Sequence, residues 1–382
     1  MSSNPGAALP DTSEQTAVRL IDAIAGALTG DPSSLARIGA YAPDEVLAQA
    51  ERHGVLPLLA EQFAQQRAAT SLAERIQARA RLHAAADLVR DAELRRLVDR
   101  LRTLGIRALL VKGAQLAYSC YARPDLRPRT DTDLFVASDD RDRASDLLLG
   151  LGYERQVQSD GDLLTYQAPY VKTRLGAIVH VVDLHWRLVN PQEFGGLLEF
   201  RDARAEAVAI PSLPGAEGLG RVHALLLACV HRVAHHHDAD LLIWLYDLHV
   251  LCARMSADDW TRFAALTRER GVAVICRHSL ALAHARFGSS VPGDVLTTAG
   301  RGADGRERSA AYLEPQPHVV RVYRDLQALP RWTERWRLMR QHLFPPARYM
   351  RTVYAPSSHA PLPFLYAVRA VRGARKWIGR GT

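Results

Sequence analysis

At 382 residues, 48% hydrophobic and 24% charged, the chain can bury a large core and has the composition of an ordinary globular protein rather than a fibrous or disordered one. Its net charge of +8 favours an anionic partner, whether nucleotide phosphates, RNA or a lipid surface. Four cysteines (Cys120, Cys229, Cys252, Cys276) without a CxxC exclude a zinc knuckle or disulfide framework, and no apolar run reaches the ~18 residues of a membrane span. With a polar start, MSSNPGAALPDTSEQ, the expectation is a cytoplasmic protein, at most peripheral at a membrane.

In chain order, residues 1–15 read as a disordered tail and 16–104 as a helical region. Within that region Leu94, Leu97, Val98, Leu101 and Leu104 form one stripe, which Gly105 ends. Residues 105–190 read as a small mixed-sheet core. IRALLV (106–111) is a strand, 114–121 a helix, RPDLRPRT a loop by its two prolines, and DTDLFV (131–136) the second strand. SDDRDRASDLLLGLG is an amphipathic helix with serine and acids at its start as a cap, and LLTYQA and AIVHVVDLHW are further strands. From 191 to 382 the pattern is helical again, broken near HRVAHHHDAD and at the polar stretch 300–309, and it ends in a basic amphipathic segment over 362–377. The class is therefore α+β, a small mixed-sheet core flanked by N-terminal and C-terminal helical regions.

The chemistry concentrates in LLVKGAQLAYSCYARPDLRPRTDTDLFV (109–136). Side chains alternate across a strand, so Asp131 and Asp133 share one face about 7 Å apart, where they repel unless a cation lies between them. Asp183 in VVDLHW is the single acid of another apolar strand, and His185 shares its face. Three carboxylates on adjacent strands suit one or two hard divalent ions, with oxygen ligands and room for phosphate. The competing reading makes Asp131 a strand cap, pairs Asp133 with Arg127 or Arg129, and buries Asp183 with a partner. Arg127 and Arg129 can equally brace phosphate oxygens, because a guanidinium fork matches them. His231 and His235 have zinc-compatible spacing, but Arg232 stands where a metalloprotease needs glutamate. The roles of His231, His235, His236 and His237 stay open, as does the oligomeric state.

Lys112-Gly113, Arg127-Pro128-Arg129-Thr130-Asp131-Thr132-Asp133 and Asp183-Leu184-His185-Trp186 together resemble the polymerase-β-like nucleotidyltransferase superfamily. More narrowly they resemble its bacterial family of uncharacterised nucleotidyltransferases. His231, Trp244, Asp247 and LFPPARYMR are similar to that family's C-terminal half, so the likeness runs over about residues 40–370. The resemblance implies a Mg²⁺-dependent nucleotidyltransferase. It would move a nucleoside monophosphate from an NTP to an unknown hydroxyl or phosphate acceptor and release pyrophosphate. It implies Asp131, Asp133 and Asp183 as catalytic metal ligands and Gly113 as the close approach to the triphosphate, with Asp183 helping to deprotonate the acceptor. Ala114 stands where the superfamily often has a serine that contacts phosphate, and Lys112 is expected to supply that contact instead. Arg127 and Arg129 join the nucleotide-binding set, and His185 is expected to face the acceptor or the cleft. The alternatives are a catalytically silent nucleotide-binding regulatory protein, or a basic protein that contacts RNA or anionic lipid through its C-terminus.

Overall fold

Five helices precede the first strand in the computed structural model, which describes residues 13–68, 70–157, 163–298, 307–354 and 360–378. They are α1 (Ser13–Leu28), α2 (Pro32–Ile38), α3 (Pro43–Arg52), α4 (Leu56–Gln65) and the long α5 (Ser71–Thr103). The expected N-terminal tail falls mostly outside the described residues, and α1 begins before its predicted limit of 15. Thr70 caps α5 by accepting the Ala73 N–H at 3.1 Å. Gly105 takes the left-handed conformation (φ 62°) that turns the chain into the sheet.

Next come β1 (Ala108–Leu110), α6 (Lys112–Ser119), β2 (Thr132–Val136), α7 (Arg141–Gly150), β3 (Glu154–Arg155), β4 (Gln167–Arg174), β5 (Ala177–His185), α8 (Phe200–Ala205), β6 (Val208–Ala209) and β7 (Glu217–Gly218). They form a seven-stranded sheet in the order β3-β4-β5-β2-β1-β7-β6. β2 runs parallel to β5 and antiparallel to β1. The remaining helices are α9 (Arg221–Ala234), α10 (Leu242–Cys252), α11 (Ala257–Glu269), α12 (Ala273–Phe287), α13 (Gly293–Thr298), α14 (His318–Ala328), α15 (Trp332–Leu343), α16 (Ala347–Tyr354) and α17 (Leu362–Ile378). None of the described helices is long and apolar enough to cross a membrane.

The α+β expectation holds, with three local differences. β6 and β7 extend the sheet past residue 190; two-residue strands leave no periodic signal in a sequence. The strand expected over LLTYQA lies over Gln167–Arg174 instead, because Lys172 sits inside, paired with Glu93 at 2.7 Å, and interrupts the apolar alternation. The expected cap of α7 is absent. Asp140 makes no side-chain cap and instead accepts from Arg143 at 2.7 Å, while residues 138–140 form a short 3₁₀ turn.

Pleating divides the core. Leu110, Leu134, Val136, Val182 and Leu184 pack on one face against the Leu94, Leu97, Val98 and Leu101 stripe of α5 and against α7. Leu109, Val111 and Phe135 point the other way, into the helical layer built from α1–α4 and α9–α12. The four cysteines are buried and unpaired.

Candidate active site

The face carrying Phe135 also carries Asp133, Asp183 and His185, because each follows the period of two, and Asp131 joins them at the cleft from the residue just before β2. Toward the end of β2 that face is sealed, with Phe135 meeting Phe200 edge-on at 5.2 Å. Toward the start of the strand the helical layer parts into a cleft of about 580 Å³, within the range of small-molecule sites. Lys112, Gly113, Arg127, Arg129, Asp131, Asp133 and Asp183 all line it. The helical walls contribute Asp87 and Arg90 from α5, His231 from α9, and Trp244 and Asp247 from α10.

Register brings the acids together. In the parallel β2–β5 pair Asp133 stands opposite Asp183. Asp133 accepts from Lys112 Nζ at 2.7 Å and lies 2.8 Å from His185 Nε2. Burial works against its charge, yet the Lys112 ammonium and the His185 ring together hold its carboxyl well below the usual carboxylate range. Asp131 behaves oppositely. Burial and then the Asp133 charge raise it to about 6. Burial and the charges of Asp131 and Asp133 raise Asp183 to about 6 as well. Gln167 Nε2 donates to Asp183 Oδ2 at 2.9 Å and fixes its orientation.

His185 does not reach the cleft. Its ring is fully buried, does not line the cleft, and lies behind Asp133. Burial lowers its pKa, so the neutral ring donates from Nε2 to Asp133, while Nδ1 has no hydrogen-bond partner. Trp186 takes the other face, as expected, and packs against the α5–α7 core.

The two arginines are already engaged. Arg127 forms a fork with Asp247 of α10, with Nε at 2.9 Å and Nη2 at 2.7 Å. Arg129 meets Asp87 at 3.1 Å and the Tyr118 hydroxyl at 3.0 Å. Neither pairs with Asp133, whose cation is Lys112. The arginines clamp the loop before β2 to α5 and α10. Gly113 has a packing reason besides any ligand: a β-carbon there would stand 3.2 Å from the Arg127 guanidinium. Lys112 opens α6 in the left-handed region (φ 53°) that non-glycine residues seldom adopt, which turns its ammonium toward Asp133.

The histidines form a neutral wall. His231 and His235 stack at 4.6 Å, and His236 stacks on Trp244 at 4.0 Å. Burial, reinforced by Lys112, lowers His235 to about 3 and His236 to about 4. α9 ends at Ala234, inside the histidine run, and His237 and Asp238 follow at positive φ. Arg232, in the place a metalloprotease would give to glutamate, is buried and paired with Asp238. The zinc-protease reading therefore has no base.

As a cation site the donor set is hard and mostly oxygen. Asp133, Asp183 and His185 each offer a donor atom within 4.8 Å of the others, and Asp131 lies outside that tight group. Two carboxylates destabilised as anions, beside one held ionised, fit an added cation. Residues that did not stand out in sequence as part of the site are Gln167, Asp87 and Asp247. Asp247 had a signal: it is the single acid of the apolar helix LIWLYDLHVLC.

No curated protein matches the sequence. A family model described as "Uncharacterised nucleotidyltransferase" matches residues 40–288, well over half the chain and the span that supplies every wall of the cleft. The chain therefore belongs to that family and is a nucleotidyltransferase.

Proposed function

We propose that the chain transfers a nucleoside monophosphate from an NTP to a hydroxyl or phosphate acceptor, releasing pyrophosphate, with Asp131, Asp133 and Asp183 holding Mg²⁺. One observation carries this reading: the Asp133–Asp183 register puts these carboxylates side by side on one sheet face, lining a cleft large enough for a nucleotide. When bound, magnesium supplies neutralisation of phosphate charge and acidification of an attacking hydroxyl.

The chain's own residues divide the remaining work. Lys112 and His185 keep Asp133 ionised at any pH near neutral. Lys112, with its ammonium at the cleft, offers a compact cation to phosphate oxygens. Asp183, held in orientation by Gln167, is the carboxylate that would take the proton of an acceptor hydroxyl. Arg127 and Arg129 keep the loop before β2 in place through Asp247 and Asp87. The neutral His231–His235–His236 wall lines the cleft near Lys112 without adding charge.

The test is incubation with each α-³²P-labelled NTP, Mg²⁺ and cell extract. Wild type is expected to transfer label and release pyrophosphate, and Asp131→Ala/Asp133→Ala to lose both. Equal transfer by the two proteins removes the assignment, and tight nucleotide binding without pyrophosphate release would mark a silent nucleotide-binding protein.

A further inference from the structure

The C-terminal helices carry a charge imbalance unlike that of the rest of the chain. Residues 315–382 hold thirteen arginines and lysines against two acids, whereas the whole chain has a net charge of only +8. The preceding residues are therefore slightly acidic, and nearly all the basic character belongs to this segment.

Its apolar side chains are distributed unusually as well. Along α15, Trp332, Trp336, Met339 and Leu343 fall at i, i+4, i+7 and i+11, which is one stripe of a helix. That stripe faces water, at 76%, 63%, 38% and 49% exposed, whereas Leu338 on the opposite side is buried. At 100° per residue Arg335 and Arg340 fall on either flank of the stripe. Phe344 continues it past the helix end, and Phe364 and Val371 of α17 are exposed too. An exposed apolar stripe of this kind marks an interaction surface.

We infer that α15, with α17 beside it, is a docking face for an anionic phospholipid bilayer. Tryptophan, methionine and leucine between two rows of arginine is the composition that settles at the headgroup–acyl boundary, with arginine stems extending along the apolar side and their guanidinium groups at lipid phosphates. RNA phosphates would match the charge but leave Met339, Leu343 and Val371 without a partner, since aliphatic side chains offer no face for base stacking. A bilayer takes the whole set. α14 joins this segment to the body near the cleft: Arg321 lies 3.3 Å from His237, the chain neighbour of the cleft-lining His236, and Asp325 accepts the Gln192 N–H at 2.7 Å. This inference stands apart from the nucleotidyl reading and does not depend on it.

The test is co-sedimentation of the full chain with phosphatidylcholine vesicles and with mixed phosphatidylcholine–phosphatidylserine vesicles, at low and high salt. The chain is expected to bind the mixed vesicles, to lose that binding as salt rises, and to leave pure phosphatidylcholine in solution. Trp332→Ser/Trp336→Ser is expected to weaken partitioning about tenfold or more, and Arg335→Gln/Arg340→Gln to weaken it and flatten the salt dependence. Because all four positions are exposed, unchanged melting curves check that the variants fold. The inference is overturned if the chain ignores anionic vesicles, or if the tryptophan variant binds them as well as wild type. It is equally overturned if the variant instead abolishes binding to RNA or dissociates a dimer of the chain.

Discussion

Asp183→Asn separates an acid placed for chemistry from one placed for packing. In the metal-free protein the Asp183 carboxyl is raised from 3.8 to about 6, first by burial and then by Asp131 and Asp133. At about 1.4 kcal/mol per unit the ceiling on the folding penalty of its charge near neutral pH is ~3 kcal/mol. The group borders an open cleft, so solvent screening reduces this to ~1–2 kcal/mol. Asparagine keeps an oxygen for the Gln167 donor and carries no charge. The variant is therefore expected to be more stable than wild type in EDTA at pH 7.5, melting about 1–3 °C higher for a chain of 382 residues.

The pH dependence has a defined sign. A carboxyl whose folded pKa lies above its unfolded value favours folding only while protonated. Its contribution is complete below about 4 and is lost as pH rises through about 6. The advantage of the variant should accordingly vanish on titration from pH 7.5 to pH 4. Millimolar Mg²⁺ at pH 7.5 should raise wild type and leave the variant nearly unmoved. Melting scans across that pH range, with and without metal, measure all three effects. A variant less stable than wild type at pH 7.5, or an advantage that does not change with pH, would refute the account of the site as a set of mutually repelling carboxylates.

Other expectations concern the surrounding clamp and donors. Asp247→Ala leaves the buried Arg127 guanidinium without its carboxylate and should cost ~3–5 kcal/mol in urea denaturation, opposite in sign to Asp183→Asn. Gly113→Ala forces a β-carbon to 3.2 Å from that guanidinium and should cost ~1 kcal/mol or more by the same assay. Lys112→Met should weaken binding of a fluorescent NTP analogue about tenfold or more, if its ammonium engages phosphate. His185→Gln, which can still donate to Asp133, should retain more activity than His185→Leu. Both should lower kcat with little change in acceptor KM, because the ring is buried away from the cleft.

The sequence by itself determined the α+β class, the strands bearing Asp131, Asp133 and Asp183, the helix break at the histidines, and the family likeness of the Lys-Gly and Arg-Pro-to-Asp-x-Asp segments. These are legible because period, turn residues and spacing are properties of neighbours along the chain. Alternation alone led to Asp131 and Asp133 being expected on one face, and an acid amid apolar neighbours singled out Asp183. Tertiary structure decided the pairings. It set the Asp133–Asp183 register, gave Asp133 its Lys112 and His185 partners, and buried His185 behind the site it was expected to face. It also turned Arg127 and Arg129 toward Asp247 and Asp87, 120 and 42 residues away in sequence. Which carboxylate a guanidinium meets, and which acid stays charged, depends on the distance and burial that folding creates, and no spacing along the chain encodes either.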